Sequence, residues 1–489
     1  MNDTHGKLSQ LLKTSYKEAS ALTGDTLTKI SNQIDRLSDE RFCLGITGLS
    51  QSGKSTFITS LINQLLHHDT SNLPGFSPVL SERLIGVKVH PLEDGALPPF
   101  PYEEAYEKIT RPKPQWPEST VNTSGCLLEL KLKKSDGQIN PFSRESYSLF
   151  LEIRDYPGEW LLDLPLRDMS YSRWSSQCNA QYTQQPRKEI LGSLLEQLQQ
   201  LDPLAEADNE VLKRLHSDYL AFLKKCKHSD KSLSLIQPGR FLIPGDIPDA
   251  DVLFFIPLLK VASYTEDQLE AAAENSYFKL CEKRYKRYIK ELIDPFYKKF
   301  FHRIDRQLVI VDVVNALNAG PAYVDDMRQA VSNITDSFAY ARQNRVFQLF
   351  NPKIDKVVFV ASKIDQVLSE DHESVRQLLG QLIRQAYKSA QHEGVFPECE
   401  AAAAVRSSRE VKHEGERGIT GADSKGEPIG YMHPTIPPRI PEGDEWQAFV
   451  DWKIPTLSPP RGLSSTNNDS IPHIRMDTVL NILIGDKCQ

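Results

Sequence analysis

The chain has 489 residues, of which 39% are apolar and 25% charged. It is long enough for several domains, or for one domain with a large insertion, and ordinary enough in composition to be globular. A net charge of −7 and seven scattered cysteines without a C-x-x-C pair give no reason to expect a nucleic-acid or anionic-membrane binder, a disulfide framework or structural zinc, and they fit a reducing cytosol.

Nothing approaches the roughly 18 consecutive apolar residues of a membrane span. The start, Met1-Asn2-Asp3-Thr4-His5, lacks the order of a secretory signal. A cytoplasmic location is expected, with peripheral attachment to the inner membrane left open. Residues 1–40 read as one or two helices. Leu8, Leu11, Leu12 and Tyr16 form one stripe, Leu27, Ile30, Ile34 and Leu37 another, and Gly24-Asp25 breaks them.

Phe42 to Thr47 is a short apolar run suited to a buried strand. Gly48-Leu49-Ser50-Gln51-Ser52-Gly53-Lys54-Ser55 follows and matches G-x-x-x-x-G-K-[ST]; Thr56 comes next. Phe57, Ile58, Leu61, Ile62, Leu65 and Leu66 then recur at helical spacing. Gly48 and Gly53 let the backbone turn N–H groups of Ser50, Gln51, Ser52 and their neighbours toward phosphate oxygens. Lys54 supplies a point charge for the β- and γ-phosphates, and Ser55 offers a hydroxyl to Mg²⁺. The helix start, with Thr56, presents its free N–H groups to the same anion.

Residues 67–125 are a proline-punctuated connection, with a strand expected near Arg83–Val89. Cys126–Leu132 and Tyr147–Ile153 read as facing strands. Residues 160–300 read mostly as helix, interrupted by a strand-like stretch, Val252–Leu259. Leu308–Val313 and Lys356–Ala361 have the β-branched, almost fully apolar character of strands buried on both faces. Helices are expected over 322–349 and 375–392. Ala401–Val405 reads as the last core strand, residues 409–470 as loop or edge structure, and Ile474–Ile484 as a closing helix.

Several motifs fall at predicted strand ends, the edge where open α/β sheets bind ligands. Asp155-Tyr156-Pro157-Gly158 matches D-x-x-G. Its carboxylate suits a magnesium shell, and Gly158 lets a backbone N–H approach a γ-phosphate. Glu159 stands where many GTPases orient water with glutamine. A carboxylate there would repel the γ-phosphate, so slow intrinsic hydrolysis is expected, or a need for a supplied arginine. Thr120, favoured over Thr123, is the candidate to complete the metal shell and sense the γ-phosphate.

Ser362-Lys363-Ile364-Asp365 resembles N-K-x-D. Guanine shows two adjacent N–H donors on one edge, and the acceptor-only carboxylate of Asp365 can take both, whereas adenine would mispair. The Lys363 stem would cover the base face. Ser407, in Ala404–Ser408, is assigned to a loop on the base; an ordinary loop reads equally well. A basic run from Lys283 to Arg306, interleaved with Tyr285, Tyr288, Phe296, Tyr297, Phe300 and Phe301, reads as a solvated helix face over a buried aromatic one. Asp155 and Asp365 are 210 residues apart. Two strand–helix–strand steps need about 60, so roughly 150 residues are inserted.

The expected fold is α/β, a P-loop NTPase of GTPase type, with a mostly parallel sheet flanked by helices and a large helical insertion. The segments expected are 1–40 helical, 41–159 and 301–410 as the two halves of the nucleotide domain, 160–300 as the insertion, and 411–489 as a loop-rich end with a terminal helix. With these residues in hand, the chain resembles the YcjX-like family of bacterial stress-associated P-loop proteins. The resemblance rests on the phosphate loop, Trp116-Pro117-x-x-Thr120, Asp155 to Trp160, the helical insertion and Pro238-Gly239-Arg240-Phe241-Leu242-Ile243-Pro244-Gly245. It implies GTP/GDP binding, Mg²⁺ dependence and a tie to stress. The leading reading is a slow GTPase switch that signals to an unidentified protein partner, without sequence-specific nucleic acid. A nucleotide-binding scaffold with negligible turnover, or an ATPase, are the alternatives.

Overall fold

The computed structural model describes residues 40–488 except 50, 93–96, 119–121, 135–144, 229–230, 246, 248, 344–353 and 385–395. Of the residues 1–40 expected to be helical, 1–39 lie outside the described residues and Glu40 is strand; the candidate residues Ser50 and Thr120 also lie outside them. Seven strands form the main sheet: β1 (Glu40–Gly48), β2 (Leu84–His90), β3 (Ser124–Lys133), β4 (Ser146–Asp155), β5 (Arg306–Val311), β6 (Lys356–Ala361) and β7 (Phe396–Ala401). Their order is β2-β3-β4-β1-β5-β6-β7. The pairs β4–β1, β1–β5, β5–β6 and β6–β7 are parallel, and β2–β3–β4 is an antiparallel meander at one edge.

The central strands bury both faces because their residues alternate between two cores. Leu44, Ile46, Leu308, Ile310, Val358 and Val360 point into one core; Cys43, Val309, Val311, Val357, Phe359 and Ala361 point into the other. The first core is closed by α1 (Lys54–Leu66), through Phe57, Ile58, Leu61 and Leu65.

Between β4 and β5 the described residues form helices and turns, among them α2 (Gly158–Leu162), α3 (Asn209–His228) and α4 (Tyr277–Tyr288). Their interior is aromatic: Trp174 and Tyr285 stack with centroids 5.5 Å apart, and Phe255 meets Tyr285 edge-on at 5.7 Å. The strand expected at Val252–Leu259 is absent. Short 3₁₀ turns, Ala250–Leu253 and Leu259–Ser263, flank an extended piece whose Phe255, Ile256 and Leu258 are buried. Pro257 has no N–H for a ladder, and the Ile256 carbonyl accepts from the Tyr171 hydroxyl at 2.6 Å instead.

Apart from Arg306, which opens β5 and is buried, the basic run behaves as a helix face. Its six aromatic rings are buried, and Arg287 pairs with Asp249 at 2.8 Å and Glu291 at 2.9 Å.

After β5, α5 (Pro321–Gln343) and α6 (His372–Leu382) cover the second core with Val324, Val331, Val375 and Leu379, and α7 (Met476–Ile484) joins α1 on the first. The last core strand lies earlier than Ala401–Val405. β7 ends at Ala401, and Ala403 leaves the sheet to exchange backbone hydrogen bonds of 3.0 and 2.9 Å with Ile474. Residues 409–470 are not all loop. β8 (Ser408–His413), β9 (Glu416–Ala422) and β10 (Pro428–Tyr431) make a separate antiparallel sheet. Its first turn is Glu414-Gly415, with φ values of 51° and 94°, which suits a two-residue hairpin. These strands bury little, so hydrophobic alternation did not announce them.

Candidate functional site

β1 delivers the phosphate loop to the C-terminal edge of the parallel strands. The Leu49 N–H donates to the Ile310 carbonyl at 3.1 Å, tying the loop to β5, and the Ser52 N–H closes a turn on Leu49 at 3.1 Å. Gln51 (φ 59°) and Gly53 (φ 80°) are left-handed, which lets the loop fold back and start α1 at Lys54. A Cβ on Gly48 would sit 2.1 Å from Ser52 Oγ and would force that hydroxyl to turn away. That hydroxyl is buried with no hydrogen-bond partner among the described residues, inside a loop that borders a cleft. An orphaned hydroxyl in such a cradle fits an oxyanion ligand.

The cleft holds about 230 Å³. Its walls are the Gly48–Thr56 loop, Pro117 and Glu118, Pro157 to Glu159, and Lys227, His228 and Ile243 from the helical block. Lys54 Nζ pairs with the Asp155 carboxylate, which is 1% exposed and also accepts from Ser124 Oγ at 3.2 Å. Asp155 and Ser55 are among the side chains here whose oxygens suit a hard dication; Thr56, Glu118 and Glu159 on the cleft wall are others.

Gly158 presses on the loop: a Cβ there would stand 2.1 Å from the Gly48 carbonyl oxygen. Gly158→Ala is therefore expected to push the Gly158–Leu162 turn off the phosphate loop. The cost is about 1–3 kcal/mol of overpacking, read as a lower Tm together with weakened ligand binding; an unchanged Tm would show that the two turns separate freely.

The second group of predicted residues lies on the far side of the loop. Lys363 is left-handed (φ 60°), and its Nζ donates to the Gln51 carbonyl at 2.8 Å and to Asp312 Oδ2 at 2.7 Å. Asp365 is buried, and its Oδ2 accepts from the Ser407 N–H at 2.8 Å and the Ser407 hydroxyl at 2.6 Å. Burial raises its carboxyl pKa, and the Ser407 bonds oppose that rise. Ser362 is buried, its Oγ 3.5 Å from the Val311 carbonyl.

Of the predicted residues, Gly48, Gln51, Ser52, Gly53, Lys54, Ser55, Thr56, Gly158 and Glu159 line one cleft, with Asp155 held against Lys54. Lys363, Asp365 and Ser407 form the adjoining cluster. The segment chosen for Thr120 does reach the cleft, through Pro117 and Glu118.

Two residues escaped sequence reasoning. Asp312 follows β5, caps the next helix by accepting from the Asn315 N–H at 3.1 Å, and holds Lys363; a carboxylate just after an apolar strand was the available signal. Lys227 forms an ion pair with Glu159 at 2.7 Å; among the many charges of a long helix it carried no signal at all.

The segment after Asp155 is fastened to the helical block. Asp163 is fully buried and accepts from the N–H groups of Gly239 (2.8 Å) and Arg240 (3.2 Å) and from the Tyr288 hydroxyl. Burial pushes its pKa up to about 6 against those bonds. A Cβ on Gly239 would stand 2.2 Å from the Glu159 carbonyl oxygen, and Arg240 lies 3.3 Å over the Trp160 ring.

Known proteins align with this arrangement over almost its whole length. A protein of Escherichia coli K12 named "Ras-like GTPase YcjX" is 36% identical over 460 residues, 93% of this chain and 97% of the relative. One of Shewanella oneidensis MR-1 with the same name is 34% identical over 484 residues, 94% and 97% of the two chains. The profile of the YcjX-like family, DUF463, matches residues 42–488, from the first core strand to the end of the last helix. With the phosphate loop, the D-x-x-G turn and the helical block between β4 and β5 all inside that match, the chain belongs to the YcjX-like family.

Proposed function

We propose that this chain is a guanine-nucleotide switch that hydrolyses GTP to GDP and phosphate with Mg²⁺ as cofactor, and that a protein partner reads its state within a stress response. The observation that carries this reading is the convergence at one sheet edge. Lys54, Gly158 and Glu159 border the same cleft, and Lys363 links the Asp365 turn to the back of the phosphate loop. The relatives named Ras-like GTPase support a GTPase-like function.

In this reading the phosphates lie against the loop N–H groups, and Lys54 exchanges Asp155 for phosphate oxygens. Ser55 and the released Asp155 carboxylate would hold Mg²⁺, which would supply Lewis-acid chemistry at the phosphates. Gly158 would bring its N–H to the γ-phosphate, and Thr120 would complete the metal's ligand set. Asp365 takes the two N–H donors of guanine while Lys363 covers the ring, and Ser407 holds that carboxylate in place.

One observation favours a second reading. The Glu159 carboxylate is engaged by Lys227 through Oε1. That suits a nucleotide-binding interaction protein with negligible turnover.

Calorimetry with GDP and ADP, followed by GTP turnover with and without Mg²⁺, separates these readings. GDP is expected to win over ADP by about 100-fold or more, and turnover to vanish in chelator. Equal affinities would overturn the base assignment, and tight GDP binding without turnover would select the second reading.

A further inference from the structure

The helical block reaches the cleft through a cation. Lys227, in the last turn of α3, sets its Nζ 2.7 Å from Glu159 Oε1, and the two side chains are only 14% and 11% exposed. Both residues border the cleft that Lys54 and Gly158 also line.

Neither partner arrives by chance side-chain motion. α3 is anchored by buried Leu215, Tyr219, Phe222 and Cys226, and its end is closed by the Leu233 N–H on the Cys226 carbonyl at 2.8 Å. Glu159 is held by the contact of its backbone with Gly239 and by the Asp163 bonds just beyond it. Two fixed elements therefore present an ammonium and a carboxylate to each other in an enclosed setting, unlike a surface pair between flexible side chains.

This inference rests on the nucleotide reading above. A γ-phosphate beside Gly158 arrives with negative charge next to the Glu159 carboxylate. Phosphoryl transfer further spreads charge over the γ-oxygens, and a pre-positioned cation there stabilises the transition state more than the ground state. The geometry points to Lys227 as the γ-phosphate cation of this site, supplied in cis by the helical block. It neutralises Glu159 in the absence of a γ-phosphate, and it moves its ammonium onto a γ-oxygen when GTP is bound. The same movement reports the nucleotide state to α3.

The test uses the full chain with Mg²⁺. Affinities for GDP and for a non-hydrolysable GTP analogue are measured by calorimetry, and GTP cleavage by single turnover. Lys227→Ala is expected to weaken the analogue and slow cleavage by about 10-fold or more while moving GDP affinity by less than about twofold. Lys227→Arg is expected to keep both. Glu159→Gln removes a like charge and should raise the analogue's affinity with or without Lys227, so the loss caused by Lys227→Ala is expected to persist in the Glu159→Gln background. Equal losses for GDP and analogue, or disappearance of the Lys227→Ala loss once Glu159 is Gln, would reduce the lysine to a structural partner of Glu159 and sink the proposal. An unchanged analogue-to-GDP ratio in Lys227→Ala, with the wild type binding GDP tightly, overturns this proposal alone. A wild type that binds neither nucleotide overturns the reading beneath it and this proposal with it.

Discussion

Lys54→Ala is expected to lower GDP affinity by about 10- to 100-fold, because a charge-assisted hydrogen bond to phosphate is worth about 1.5–3 kcal/mol and Lys54 borders the cleft at the start of α1. The same change should also lower the Tm of the nucleotide-free protein. Lys54 Nζ pairs with Asp155, a carboxylate 1% exposed that also accepts from the Ser124 hydroxyl at 3.2 Å. Removing one member of a buried pair leaves an uncompensated charge, at a cost of about 3–5 kcal/mol.

The two effects part company in a double variant. Asp155→Asn removes the stranded charge, so Lys54→Ala/Asp155→Asn should regain most of the lost Tm and none of the lost affinity. Calorimetry and thermal unfolding on the same samples check this. A Lys54→Ala protein that binds GDP like the wild type would remove the phosphate loop from the account.

Asp365→Asn carries the second large effect. The carboxylate offers acceptors only, whereas an amide offers one acceptor and one donor group. GDP affinity should fall by about 100-fold, and a xanthine nucleotide, which shows a carbonyl where guanine shows its amino group, should gain. The loop itself should survive, since the amide oxygen can still accept from the Ser407 N–H, now 2.8 Å from Asp365 Oδ2. Competition binding with GDP, ADP and XDP reads the outcome. An unchanged GDP-to-ADP ratio would mean that the base is recognised elsewhere.

Much of this was legible in the residues, for identifiable reasons. The phosphate loop needs particular residue types at fixed spacing, so Gly48, Gly53, Lys54 and Ser55 announced both the turn and the strand and helix around it. The buried strands β5 and β6 were visible because burial on both faces demands unbroken β-branched runs.

What stayed hidden was tertiary. Lys227 meets Glu159 only because α3 is folded back across the D-x-x-G turn, and no local pattern encodes that approach. Val252–Leu259 looked like a strand because its residues are apolar, but an aromatic interior claimed them instead. The small sheet β8–β10 was missed for the opposite reason: it hides too little surface to need an apolar signature, and only the Glu414-Gly415 turn marked it.

The aromatic interior has a practical consequence. The apolar cluster that holds Val309, Val311 and Phe359 beneath the main sheet runs without interruption into Trp174, Phe255 and Tyr285. There is no seam along which to cut. Anyone trimming this protein to a minimal nucleotide binder by rejoining Asp155 to Arg306 would expose half of a shared interior, so the smaller protein would need a redesigned underside before it could stay in solution.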